Sequence, residues 1–165
     1  MAKQLIVCGI IHMVISILSI TGVSADTLCP DRWTAFRGSC YLFAHENLTF
    51  MDAERSCVHY GAHLVHVDDA TENTFLKSYL SNLKDPIHWI GLTDEVTEGI
   101  WVWYDNNEVA TFTNWHNITS EPNGGKAQNC VYIAEGHGYE WIDAPCGWKR
   151  KPLCEKREQE ETIVG

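Results

Sequence analysis

Six cysteines, Cys29, Cys40, Cys57, Cys130, Cys146 and Cys154, are spread between positions 29 and 154 of a 165-residue chain, with Cys8 as a seventh. Cysteine at this density belongs either to a zinc or redox protein or to a disulfide framework, and the compartment decides between them. The N-terminus speaks to compartment. Lys3 supplies a short positive region, Leu5 to Ile20 is an almost unbroken apolar run, and Val23 and Ala25 stand at the −3 and −1 places of a cleavage site after Ala25. This is the layout of a secretory signal peptide over residues 1–25. The run is shorter than the ~20 residues that span a bilayer, carries His12 and has a meagre basic flank, which disfavours an uncleaved anchor. The expectation is a secreted, extracellular domain over residues 26–156 with no membrane anchor, then an acidic flexible tail over 157–165.

Removing the signal would also remove Cys8 and leave six cysteines, which allow fifteen pairings. No Cys-x2-Cys pair occurs, so zinc-ribbon and thioredoxin readings fail and the six read as structural cross-links. A net charge of −10, from 12 Lys+Arg against 22 Asp+Glu, disfavours nucleic acid or an anionic membrane as partner. An apolar content of 45% with 7 Trp is too high for a disordered chain.

The pattern along the chain is mixed. Ser39 to Phe43 reads as a strand after a Gly38 turn. Thr49, with Asp52 three residues on, is a capping box, and Phe50, Ala53, Cys57 and Tyr60 repeat at helical spacing until Gly61. His63 to Val67 alternates as a short strand. A second helix starts near Asp69, carries Phe75, Leu76, Tyr79, Leu80 and Leu83 on one face, and cannot pass Pro86. Beyond it, Trp89–Leu92, Ile100–Tyr104, Cys130–Ile133 and Pro152–Cys154 are strand candidates. Between Trp115 and Cys130 lies a long polar loop, and loops of that length are usually functional or disordered. Two helices followed by irregular strands, cross-linked end to end, predict an α+β domain.

The stretches Trp89-Ile90-Gly91-Leu92, Thr93–Gly99, Asn114-Trp115, Glu121-Pro122-Asn123 and Trp141-x-Asp143 before Cys146 stand among six cysteines in a set order. By these motifs the chain resembles, from Cys29 to about Glu155, the C-type lectin-like domain family. Among family members the mollusc perlucin-like proteins look most similar. The resemblance implies the pairs Cys29–Cys40, Cys57–Cys154 and Cys130–Cys146, and a fold of two helices, small antiparallel sheets and a long ligand-binding loop. It also implies a primary Ca²⁺ site at Glu121, Asn123, Gln128 and Asp143, with a cis Glu121–Pro122 bond, where the ion and its ligands hold vicinal sugar hydroxyls. Glu-Pro-Asn in that family goes with mannose-type sugars. A second Ca²⁺ site falls on Asp94, Glu98 and Asn129, against the reading of Asp94 and Glu98 as solvated loop acids.

Two positions depart from the family pattern. Gln128 replaces a glutamate and Ile142 replaces an asparagine, leaving two carboxylates and two amides. Calcium affinity follows ligand charge and count, so a site weakened toward about 10⁻³ M is expected. The implied function is a secreted, non-enzymatic glycan-binding protein, of mannose-type preference, serving recognition of microbial or cell-surface glycans. The alternatives are a matrix protein acting at a calcium mineral surface and a lectin-fold domain that binds protein without metal. No Gly-x-Ser-x-Gly, His-Glu-x-x-His or free cysteine supports catalysis. His59, His63 and His66 are separated by Gly61 and by strand alternation, which argues against zinc. Trp89, Trp101, Trp103 and Trp115 read as core, while Trp141 and Trp148 flank the site. Asn47-Leu48-Thr49 and Asn117-Ile118-Thr119 are glycosylation sequons.

Overall fold

Thr49 starts the first helix by accepting the backbone N–H of Asp52 at 3.3 Å, and α1 runs Phe50–His59. The Asp52 carboxylate, expected on a backbone N–H, instead accepts the Thr49 hydroxyl proton at 2.7 Å. Phe50, Ala53 and Cys57 form the buried face, whereas Tyr60 has passed the helix end and is exposed. The computed structural model describes residues 29–157, so the leader read over 1–25, Cys8 and the tail beyond Arg157 lie outside the described residues. No helix among the described residues is long and apolar enough to cross a membrane.

Helix α2, Ala70–Leu83, is capped by Asp69, whose carboxylate accepts the N–H groups of Thr71 and Glu72 at 2.8 Å. It buries Leu76 and Leu80 and packs Phe75 and Tyr79 against the same core. Leu83, expected on that face, is 50% exposed, because the helix ends in the left-handed turn at Lys84 and its last turn overhangs the core.

The strands are β1 (Thr34–Phe36), β2 (Ser39–Phe43), β3 (His63–Leu64), β4 (Ile87–Thr93), β5 (Val102–Trp103), β6 (Cys130–Ala134), β7 (Glu140–Ala144) and β8 (Lys151–Arg157). They pair in the order β1-β2-β8-β4-β6-β7, with β3 on β8 and β5 on β4. The antiparallel expectation holds for every strand pair but one: β4 meets β8 in parallel, at His88↔Lys151 and Trp89↔Pro152. The strand expected over His63–Val67 stops at Leu64. Beyond it the Val65 N–H still donates to the Leu153 carbonyl of β8 at 2.8 Å, while the Val65 carbonyl turns away to accept the N–H of Gly91 at 2.9 Å. A side chain at Gly91 would meet the Leu64 carbonyl at 2.7 Å, so only glycine permits this approach. The strand expected over Ile100–Tyr104 shrinks to Val102–Trp103, with Ile100 exposed. Strand β8 continues to Arg157.

Both faces of the sheet are covered. Tyr41, Val131, Ile133, Trp141 and Leu153 pack with α2 on one side, and Cys130, Tyr132, Ile142, Ala144 and Cys154 with α1 on the other. This explains why β7 escapes a search for alternation: each of its central residues is buried, on alternate faces. Trp89, Trp103 and Trp141 are fully buried, and Trp101 and Trp115 pack partly against the first cluster.

The three bridges are Cys29–Cys40, Cys57–Cys154 and Cys130–Cys146, as the resemblance implied. The second spans a sequence separation of 97 and joins α1 to β8, whereas the first spans 11. In the chain-entropy model, bridges of these lengths contribute about 4.7 and about 3 kcal/mol. Replacing Cys57 and Cys154 together by Ala should therefore lower the unfolding free energy by about 1–2 kcal/mol more than replacing Cys29 and Cys40, read by denaturant titration.

Glu72 is buried under Tyr41, accepting its hydroxyl at 2.7 Å and the N–H of Asp68 at 2.8 Å. Burial, then the nearby Glu155 carboxylate, pushes its carboxyl up from 4.5 to about 7. Between those values the folded chain holds the proton that the unfolded chain has released. Stability from this group is therefore full below about pH 4.5 and is lost as pH rises through 7. Thermal melts from pH 5 to 8 should show a decline that is shallower in Glu72→Gln than in the wild type.

Candidate functional site

Strand β7 fixes the long loop through one side chain. Asp143 is 2% exposed, and its two carboxylate oxygens accept the backbone N–H groups of Asn123 (3.2 Å) and Gly124 (2.8 Å). The start of the loop is tied to the same strand, with Trp141 donating to the Asn114 carbonyl and His116 donating to the Trp141 carbonyl. Between these ties the chain turns through Ser120, which is left-handed at φ 58°, and the cis Glu121–Pro122 bond. Asn123 Nδ2 donates to the Thr119 carbonyl at 2.9 Å, and Glu121 N–H donates to the His116 carbonyl at 3.1 Å. A single 3-10 turn, Gly125–Ala127, follows. Gln128 then folds its side chain over Gly124, so that a Cβ there would collide with the amide.

Glu121, Asn123, Gln128 and Asp143 are thus gathered about one turn. The Glu121 carboxyl lies near the Asp143, Thr119 and Asn123 side chains. Burial, followed by the Asp143 carboxylate, pushes it up to about 7. Its Oε2 is buried without a partner.

The second group lies next to the first. Asp94, 3% exposed, accepts the Gly99 N–H on Oδ2 at 2.8 Å, and its own N–H donates to the Asn129 carbonyl at 3.2 Å. That burial removes the solvated-acid reading for Asp94, whereas Glu98 is exposed and reaches toward Gly125. Asp94 Oδ1 and Asn129 Oδ1 are buried without partners. Burial raises the Asp94 carboxyl above its ordinary range, and Asp143 adds to the rise. Asp143 therefore presses on an acid on either side.

Three partnerless buried oxygens and mutually repelling carboxyl groups suit a hard divalent cation, which takes oxygen donors. The fit is incomplete. Both Asp143 oxygens already serve the backbone, and Ile142 turns into the α1-side core. Among the described residues no three His, Cys, Asp or Glu side chains converge as a metal cluster. His63 contacts Glu54, while His66 lies between Asp68 and Asp105, so the histidines do not gather.

Some neighbours carried no signal in the sequence. Thr119, read only as part of a sequon, holds Asn123 through its carbonyl. Tyr132 and Arg150 stack beside the site, and nothing in their spacing marks them. Asn47 and Asn117 are both exposed.

The lectin C-type domain profile matches residues 46–156. The perlucin-like protein of Mytilus galloprovincialis is 29% identical over 147 residues, covering 87% of this chain and 93% of that protein. The cow CD23 carbohydrate-recognition domain, solved in the presence of a GlcNAc2Man3 oligosaccharide, superposes with a TM-score of 0.70 at 30% identity, covering 81% of this chain and 98% of that one. Herring type II antifreeze protein superposes with a TM-score of 0.71 at 30% identity, covering 79% and 100%. By its matched profile, its fold and its three bridges, the chain belongs to the C-type lectin domain family, whose members are not enzymes.

Proposed function

We propose that this chain is a secreted glycan-binding protein with Ca²⁺-dependent, mannose-type recognition, acting on microbial or cell-surface glycans. The observation that carries the reading is the Glu121–Asp143 acid pair, with the Glu121 Oε2 atom buried and partnerless, on the turn that presents Asn123. Glu121, Asn123, Gln128 and Asp143 would hold the ion, and Asp94, Glu98 and Asn129 a second one. When bound, Ca²⁺ supplies coordination to two neighbouring sugar hydroxyls.

The chain's own groups do the rest. Glu121 accepts a hydrogen bond from a sugar hydroxyl, and the Asn123 amide donates one, so the pair reads hydroxyls in one direction. Asp143 keeps that turn in register through the backbone of residues 123 and 124. The Glu121 carboxyl, pushed up to about 7 by burial and by Asp143, must lose its proton before a cation enters.

The likeness to a perlucin-like protein favours one second reading, a matrix role at a calcium mineral surface. The two separate on one column. Retention on mannan with Ca²⁺ should be lost with chelator and reduced at least tenfold by Glu121→Ala. Retention that survives both overturns the glycan reading, and binding to calcium carbonate that survives Glu121→Ala supports the matrix role.

The ligand assignment has its own test. Gln128→Glu adds a carboxylate and should tighten Ca²⁺ binding several-fold by calorimetry. Ile142→Asn places an amide in an apolar cluster and should cost about 1–3 kcal/mol without the ion. Ca²⁺ should restore more of that stability than it adds to the wild type, provided the amide turns to the ion.

A further inference from the structure

Trp148 is the one exposed tryptophan among the described residues, at 45%, in a chain that buries or half-buries the others. It is held in place from behind. The Arg150 guanidinium lies 4.9 Å from the Trp148 ring centre and 5.1 Å from that of Tyr132, stacked between the two. Arg150 makes no salt bridge to any acid among the described residues: Nη1 donates to the Lys149 carbonyl at 2.8 Å, and Nε is buried with no acceptor. In a chain carrying ten more acids than bases, an arginine kept for ring faces positions a surface ring, a role that cation–π attraction supports.

The stack leads to the loop site. Tyr132 lies opposite Ile142 on the β6–β7 ladder, and Val131 lies opposite Asp143. Burial raises the Tyr132 phenol, the Arg150 guanidinium over its ring opposes that rise, and the Glu121 and Asp143 carboxylates add to it. Trp148 also follows Cys146, whose bridge to Cys130 anchors the far end of the loop, and its N–H donates to Pro145 at 2.9 Å. Asp143 and Tyr132 are both buried, so the line from the loop to the surface runs through the β6–β7 hairpin: Tyr132 beside the Asp143 strand, Arg150 5.1 Å over its ring, and the exposed Trp148 4.9 Å beyond.

We infer that Trp148 is a stacking subsite for a second hexose of the same glycan, with Arg150 as its positioning residue. A hexose has an apolar face of C–H groups and a rim of hydroxyls, which matches a half-exposed indole flanked by the cationic side chains of Lys149 and Arg150. Lys149, next in sequence and exposed, offers that rim an N–H donor. The subsite rests on the glycan reading of the loop above. It predicts preference for oligosaccharides over single sugars, a distinction the Glu121 turn cannot make.

Calorimetric titration of the Ca²⁺-loaded chain with mannose and with a mannotriose tests it. Trp148→Ala should weaken mannotriose binding about three- to tenfold and leave mannose unchanged, while Trp148→Phe retains most of the difference. Arg150→Gln should fall between the two, with mannose again unchanged. Because Trp148 is exposed, the Ala variant should melt as the wild type does. Equal affinity of the wild type for both sugars, or equal loss of both in Trp148→Ala, overturns the subsite and leaves the loop reading intact. Binding of neither sugar by the wild type overturns the loop reading and the subsite together.

Discussion

Asp143 is acceptor to two backbone N–H groups on a loop that has almost no apolar side chain to bury. A polar segment of this length gains little from hydrophobic burial, so its order has to come from hydrogen bonds. One carboxylate on the best-buried hairpin of the sheet provides two of them. The β6–β7 hairpin can serve as that anchor because both its faces are covered, by α2-side residues such as Trp141 and by α1-side residues such as Ile142 and Ala144. A charge placed there is held by a rigid support, and the turn it grips inherits that rigidity.

The same placement creates an electrostatic problem. Asp143 sits between Glu121 and Asp94, and each of those acids is driven upward by burial and by Asp143 itself. Such an arrangement is costly without a compensating cation or proton. Gln128 relieves part of it by bringing an amide where the family pattern has a third acid, and Ile142 favours packing over ligation. The site leans toward fewer ligands and a steadier frame.

Much of this was legible in the chain. The helix starts at Thr49 and Asp69 announce themselves because capping is local chemistry. The number of bridges follows from cysteine count, although their pairing came from family resemblance and not from spacing. What escaped was non-local. Strand β7 hides because both faces are buried, and the β4–β8 parallel contact is set by how two covered layers close on each other. Leu83 fits the helical period yet protrudes, since periodicity cannot say where the core ends. Asp94 read equally well as a solvated acid until its burial was known. The stack of Tyr132, Arg150 and Trp148 is spread over three positions that share no motif.

The grip of Asp143 falls on main-chain atoms of residues 123 and 124, not on their side chains. Of the two gripped residues only Gly124 must stay small, because a Cβ there would collide with Gln128, and the Asn123 side chain adds one bond of its own to Thr119. The two bonds from Asp143 therefore do not depend on which side chains stand at positions 121 and 123. Such separation allows a scaffold to diversify its ligands by single substitutions, and it makes the unassuming aspartate the position least able to vary.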